Sequence, residues 1–251
     1  MRGLCRTTLA VTFVVILSSC GGDQYDSHRL QQQITVDGNS LDWNNIPLEF
    51  LEDQPMVIGF ANDDSVLYAT FRFTDAALAR KIHFRGVIVW LNSDNSETKS
   101  FGLRYHRFFA GSPPEHRTGG EIESQPITLD GKFMVVQGDM KLSTDMEYFP
   151  GVGAAAGQDK NLYVFEFAVP FKYLAADHQP FSRDKIGLGI EIGALTGDER
   201  SAMRKEMGER GNDQSTRGMR SGGGRPGMWE GRGSRLDRES EEIWMTVNLA
   251  K

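Results

Sequence analysis

Ile34-Thr35-Val36-Asp37-Gly38-Asn39-Ser40-Leu41-Asp42-Trp43 opens the folded part of this chain. The first three residues are β-branched and suit extended backbone, Asp37-Gly38 favours a turn with φ > 0, and Leu41 and Trp43 supply apolar anchors. The stretch predicts a strand, a tight turn and a hydrophobic plug.

Working outward, the next segments keep the period of two that marks half-buried strands. Met56 to Ala61 and Ser65 to Thr74 form a strand pair across Asn62-Asp63-Asp64, with Leu67, Ala69, Phe71 and Phe73 on the core face and Val66, Tyr68, Thr70, Arg72 and Thr74 on a partly wet one. Asp75 is placed to cap a helical turn reaching Lys81. Arg85 to Asn92 is nearly all apolar, as expected of a central strand, and Lys99 to Tyr105 is its partner. Lys132 to Leu142 returns to strand, whereas Pro150 to Gly157 is small and irregular and reads as mobile chain. Leu162 to Val169 turns Tyr163, Phe165, Phe167 and Val169 inward and Glu166 outward; Pro170 ends it before one helical turn at Phe171 to Leu174. Ile186 to Ala194 sets Gly187, Gly189 and Gly193 on one face, so something must lie close over the sheet there, a crossing loop or a ligand. Glu242 to Leu249 is apolar enough to require pairing within a sheet.

Three of these segments, Asn62 to Asp75, Gly86 to Asp94 and Tyr163 to Pro170, taken in order after Ile34 to Trp43, resemble the family 9 carbohydrate-binding modules and the wider DOMON-like group of sugar- and haem-binding sandwiches. The resemblance covers about residues 34 to 195 and the last strand. It implies an all-β, antiparallel, jelly-roll-like sandwich, and a non-catalytic one that contacts a glycan by stacking tryptophan on a pyranose ring. Trp90 is the candidate platform, with Arg104, Tyr105 and Glu166 on strands that could neighbour it. Trp43 is read as core and Trp244 is left open. Haem would need axial ligands; Met140 and His106 are the candidates, though no motif joins them.

The ends carry a different signal. Arg2 and Arg6, an apolar run from Leu9 to Leu17, and Leu17-Ser18-Ser19-Cys20 read as a signal peptide over residues 1–19, ending in what resembles a bacterial lipobox with Cys20 as the acylated (palmitate-bearing) first residue of the mature protein. Gly21 follows where the related lipoproteins retained at the inner membrane carry Asp, which implies a lipid-anchored protein of the bacterial outer membrane. Cys5 leaves with the signal, so neither a disulfide nor a cysteine metal site is expected. Residues 20–33 are polar and aperiodic and read as a tether; residues 34–251 form the sandwich domain.

Residues 199 to 240 break the pattern. Gly208 to Gly233 is Gly, Arg, Ser and Met without apolar periodicity, a composition that cannot bury a core. The whole chain has a formal charge of −6. Removing Arg2 and Arg6 makes it −8, and since Arg200 to Arg238 holds ten basic and five acidic residues, the remainder carries −13. A basic flexible insertion thus hangs from an acidic body before the last strand. Trp229 within it is a candidate partner contact. An exported protein rarely meets RNA, so no nucleic-acid partner is expected; anionic lipid or an envelope protein fits the charge.

Catalytic signatures are absent from the sequence. The histidines (His28, His83, His106, His116, His178) are scattered, and neither Gly-x-Ser-x-Gly nor a phosphate loop occurs. Glu166 and Glu191 offer two carboxylates for glycosidase chemistry, but with Arg72 and Arg104 nearby on strands, cross-strand ion pairs are the better account. The loop from Asn92 to Glu97 offers oxygen ligands suited to calcium yet lacks the spacing and glycine of an EF-hand, so a polar hairpin turn is expected and no cofactor is assigned. The expected function is a membrane-anchored lipoprotein whose domain contacts a glycan. The alternative is an envelope assembly protein that docks a partner through its Gly/Arg-rich insertion.

Overall fold

A computed structural model of the chain describes residues 23–51, 54–106, 128–138, 142–175, 184–193 and 240–251. Cys20, the Phe108 to Gln125 loop, Met140, Trp229 and residues 199–239 lie outside these.

Two sheets stack face to face. The first has seven strands: β1 (Asp23–Asp26), β13 (Glu241–Asn248), β12 (Lys185–Ile192), β6 (Val87–Asn92), β7 (Phe101–His106), β8 (Lys132–Gln137) and β9 (Leu142–Asp145), in that spatial order. The second has six: β10 (Gly153–Asp159), β11 (Leu162–Pro170), β5 (Val66–Phe73), β4 (Met56–Asn62) and β2 (His28–Arg29) in order, with β3 (Glu49–Leu51) also on β4. Neighbours are antiparallel except β1 on β13 and β2 on β4. The fold is an all-β sandwich.

Alternation builds the core. Phe71 and Phe73 of β5 and Phe165 and Phe167 of β11 point inward and meet Tyr105 of β7 and Phe133 of β8; the Tyr105 and Phe165 rings stand edge to face at 5.2 Å. Edge-to-face rings contribute about 0.5–1.5 kcal/mol beyond their burial. One end of the sandwich is closed by α1 (Ala76–Arg85), longer than the single turn expected. Asp75 caps it as read from sequence, its Oδ1 accepting from the Leu78 N–H at 2.6 Å. Leu78, Ala79 and Ile82 face the core, and Gly86 (φ +78°) stops the helix.

Several expectations change. The polar stretch read as a tether contains β1 and β2, and Tyr25 enters the core with 7 % exposure. Ile34 to Val36 forms no strand: residues 30–48 run as a strap over the outer face of the six-stranded sheet. The turn and the plug hold, since Gly38 has φ +81° and Trp43 is buried against Ile34 and Ala61. Gly153 to Asp159, read as irregular, pairs along its whole length with β11; its small side chains are what let Gly38 of the strap lie on Ala156 and Gly157. Lys132 to Leu142 is not one strand but β8 and the start of β9, with Gly138 at φ +55° between them. The outward face of β5 is partly wet as read, at Val66, Tyr68 and the following Thr74, while Thr70 and Arg72 are buried beneath the strap. The last strand, by contrast, pairs on both sides within its sheet, as its composition required.

Candidate functional site

The four residues grouped from sequence do not form one site. Tyr105 points into the core, where its hydroxyl oxygen accepts from the Gly131 N–H at 2.9 Å. Trp90 and Arg104 lie on the outer face of the seven-stranded sheet, and Glu166 on the outer face of the other. All four are buried, so none offers a free surface.

Glu166 instead fastens the strap. Its Oε1 accepts from Trp43 Nε1 at 2.9 Å; its Oε2 accepts from the Asp37 and Gly38 backbone N–H groups at 3.0 and 2.8 Å. Nearby, Arg72 donates to the Ser40 carbonyl at 3.1 Å. Burial pushes the Glu166 carboxyl above the usual glutamate range, and the three hydrogen bonds only partly oppose it. The same burial lowers the Arg72 guanidinium, which the Glu166 charge partly restores.

On the opposite side, sequence alternation sets out a row of cross-strand neighbours: Trp244, Gly189, Trp90, Gly102 and Val136. Each indole lies over a glycine. A Cβ added to Gly102 would stand 2.7 Å from Trp90 Cε3, and one on Gly189 would stand 2.8 Å from Trp244 Cη2 and Cζ3 and 2.9 Å from Cδ2. Cη2 and Cδ2 are opposite corners of the six-membered ring, so that point lies over the ring centre. Trp244 therefore rests one face on Gly189 and turns the other away from the sheet, and it is partly exposed. The glycine face read from sequence is thus covered by a side chain at Gly189 and by a loop at Gly187, where a Cβ would meet the Ser96 carbonyl at 2.7 Å.

Charged groups flank the row. Glu191 and Glu242 are cross-strand partners, a like-charge pair that would repel. Lys99 Nζ resolves this, 3.0 Å from Glu191 and 2.6 Å from Glu242, and lies 5.9 Å from the Trp90 ring centre. Burial works against the Lys99 charge, but the two carboxylates together hold its pKa above the usual value. Trp90 Nε1 donates to Glu191 at 2.8 Å, so each sheet carries a buried tryptophan–glutamate pair on its outer face. Glu191 thus takes Lys99 as its ion partner, while Arg104 stands two strands away across Ile88.

This geometry bears on chemistry. Glu166 and Glu191 lie on opposite outer faces of sheets stacked about 10 Å apart, too far to flank one glycosidic bond, which needs about 5–9.5 Å. The Asn92 to Thr98 loop spends its polar groups on itself: Asn92 Nδ2 donates to the Ser96 and Thr98 carbonyls, Asn92 Oδ1 accepts from the Asp94 N–H, and Asp94 Oδ1 from the Ser96 N–H. These are the bonds of the polar turn expected between β6 and β7. His106 Nε2 sits 3.1 Å from Met134 Sδ, and among the described residues no group of His, Cys, Asp and Glu is arranged to hold a metal. Trp244 is the residue the sequence left undecided; the alternation of β13 and the glycine opposite it in β12 were the signals that could have found it.

No family model and no curated protein matches the chain. Among solved structures it is similar to a family 9 carbohydrate-binding module from Caldicellulosiruptor kristjanssonii in complex with glucose, at 10 % identity and a TM-score of 0.40 over 70 % of this chain and 81 % of that one. The same module in complex with cellotriose gives 11 % identity and a TM-score of 0.40 over 70 % and 80 %. The assignment to the sandwich class stands on the two sheets themselves.

Proposed function

We propose that this is an exported envelope lipoprotein, anchored through acylated Cys20, whose sandwich contacts a glycan without catalysing a reaction, and that Trp244 rather than Trp90 supplies the stacking face. One observation carries the glycan reading: the Trp244 ring is laid flat on Gly189 with its second face outward. A pyranose needs such an apolar plane, together with polar groups at its rim, and Lys99 and Glu242 stand beside that row. The resemblance of the strand segments to the carbohydrate-binding modules supports the same reading, and the lipobox supports the anchor.

Calorimetric titration of residues 21–251 with soluble neutral oligosaccharides tests it. Binding that Trp244→Ala abolishes is expected. Absence of binding to every glycan, or a Trp244→Ala protein that binds as well as the parent, sinks it. Labelled palmitate should enter the wild-type protein in cells and not the Cys20→Ser variant.

A further inference from the structure

β1 begins at Asp23, so only Gly21 and Gly22 separate the first strand from Cys20. At about 3.3–3.6 Å per residue, the three steps from Cys20 to Asp23 span at most about 10 Å. A domain held to lipid at Cys20 cannot stand off; some part of its surface meets the headgroups.

The strand geometry and charge choose which part. β1 runs parallel to β13 with Asp23 opposite Met245, so the first residue of β1 faces the end of the sandwich where β13 starts, at Glu241. Four residues at about 3.3 Å place that end roughly 13 Å from Asp23. There α1 is tied to β13 by Lys81 Nζ, 2.6 Å from Glu241. The outward stripe of α1 holds Ala76, Ala77, Arg80, Lys81, Phe84 and Arg85, at the i, i+4 spacing of one helix face. Phe84 is 45 % exposed, its ring edge-on to that of the buried His83 at 5.0 Å. At the other end of the sandwich Asp63, Asp64 and Asp184 stand with Arg29 and Lys251, which pair with Asp64 and Asp184, so that end has no excess of cations, and the β1 edge carries Asp23 and Asp26, which anionic lipid would repel. Cations with a projecting phenylalanine suit the boundary between anionic headgroups and acyl chains.

We infer that the α1 end of the sandwich is a lipid-docking surface, with Phe84 entering the headgroup layer of the membrane to which Cys20 is attached and Arg80, Lys81 and Arg85 facing its anionic groups. This rests on the anchor proposed above.

The test uses residues 20–251, whose sole cysteine is Cys20, coupled through that thiol to a maleimide lipid in vesicles of phosphatidylcholine and phosphatidylglycerol. Phe84 is replaced by the photoreactive analogue benzoyl-phenylalanine, and in a second protein Tyr148, 69 % exposed, is replaced in the same way. After illumination, lipid adducts several-fold more abundant at position 84 than at 148, and reduced when phosphatidylglycerol is omitted, are expected. Equal adducts at both positions, a preference for 148, or indifference to phosphatidylglycerol overturns the docking surface. Because coupling is chemical, a failure of palmitate to enter Cys20 in cells would remove the natural anchor while the adduct pattern still reports which end turns to lipid.

Discussion

Removing the Glu166 carboxylate should release the strap. In Glu166→Ala the Trp43 Nε1–H and the Asp37 and Gly38 N–H groups all lose their acceptor. Hydrogen bonds to a charged group contribute about 1.5–3 kcal/mol each, so three orphaned donors under a closed strap would cost more than about 4 kcal/mol. The strap has another course, which is to lift and let water take the donors. That gives up the burial of Trp43, now 1 % exposed. At about 25 cal/mol per Å² over about 150–250 Å², this burial is worth roughly 4–6 kcal/mol. The two costs are alike in size, so the observed loss should be capped near the smaller, about 3–5 kcal/mol, and Trp43→Ala should cost about as much. Because each substitution frees the same segment, the double variant should fall short of the sum by about 1–3 kcal/mol. Urea unfolding measures all three, and limited proteolysis should show new cleavage within residues 30–48. A Glu166→Ala loss below about 1 kcal/mol, or strict additivity with Trp43→Ala, would refute the coupling.

Further outcomes follow from the same contacts. Burial raises the Glu166 carboxyl, so its contribution is complete below the ordinary glutamate value and declines as pH rises through the folded one. Denaturant midpoints taken from acid towards neutral pH should therefore fall in the wild type relative to Glu166→Gln, and a rising difference would contradict this. Gly189→Ala puts a methyl into the Trp244 ring, and should destabilise by about 1–3 kcal/mol while weakening any glycan binding more than Glu166→Gln does. Lys99→Met leaves Glu191 facing Glu242 without its bridge; melting should drop, and added salt should recover part of the loss. A calcium chelator should leave the melting temperature unchanged, since Asn92 Oδ1 and Asp94 Oδ1 already accept backbone N–H groups within the loop.

Much of the fold was legible in sequence because alternation is a local property. Tyr163, Phe165, Phe167 and Val169 had to share one face of β11 and Glu166 the other, whatever lay around them. The same logic placed Ile243, Met245 and Val247 inside and demanded partners for β13, and Asp75 announced a helix cap. Composition misled where pairing was decided elsewhere. Gly153 to Gly157 looked formless because small residues carry no β preference, yet β11 supplies a ladder for it and the strap needs a surface without bulk. Asp23 to Arg29 looked like a tether because it is polar, yet its backbone groups extend β13 and β4.

The candidate site divides in the same way. Sequence alone determined the sandwich, the face on which each strand residue lies, and the unusual row of glycines in β12. Only the tertiary structure decided what covers each face: that Glu166 lies under Trp43, that Trp90 is enclosed while Trp244 keeps an outward side, and that Lys99 spans Glu191 and Glu242. Which side of a strand a residue occupies follows from the backbone at that residue, whereas what sits above it depends on chain more than a hundred residues away, as the Trp43–Glu166 and Trp90–Glu191 bonds do.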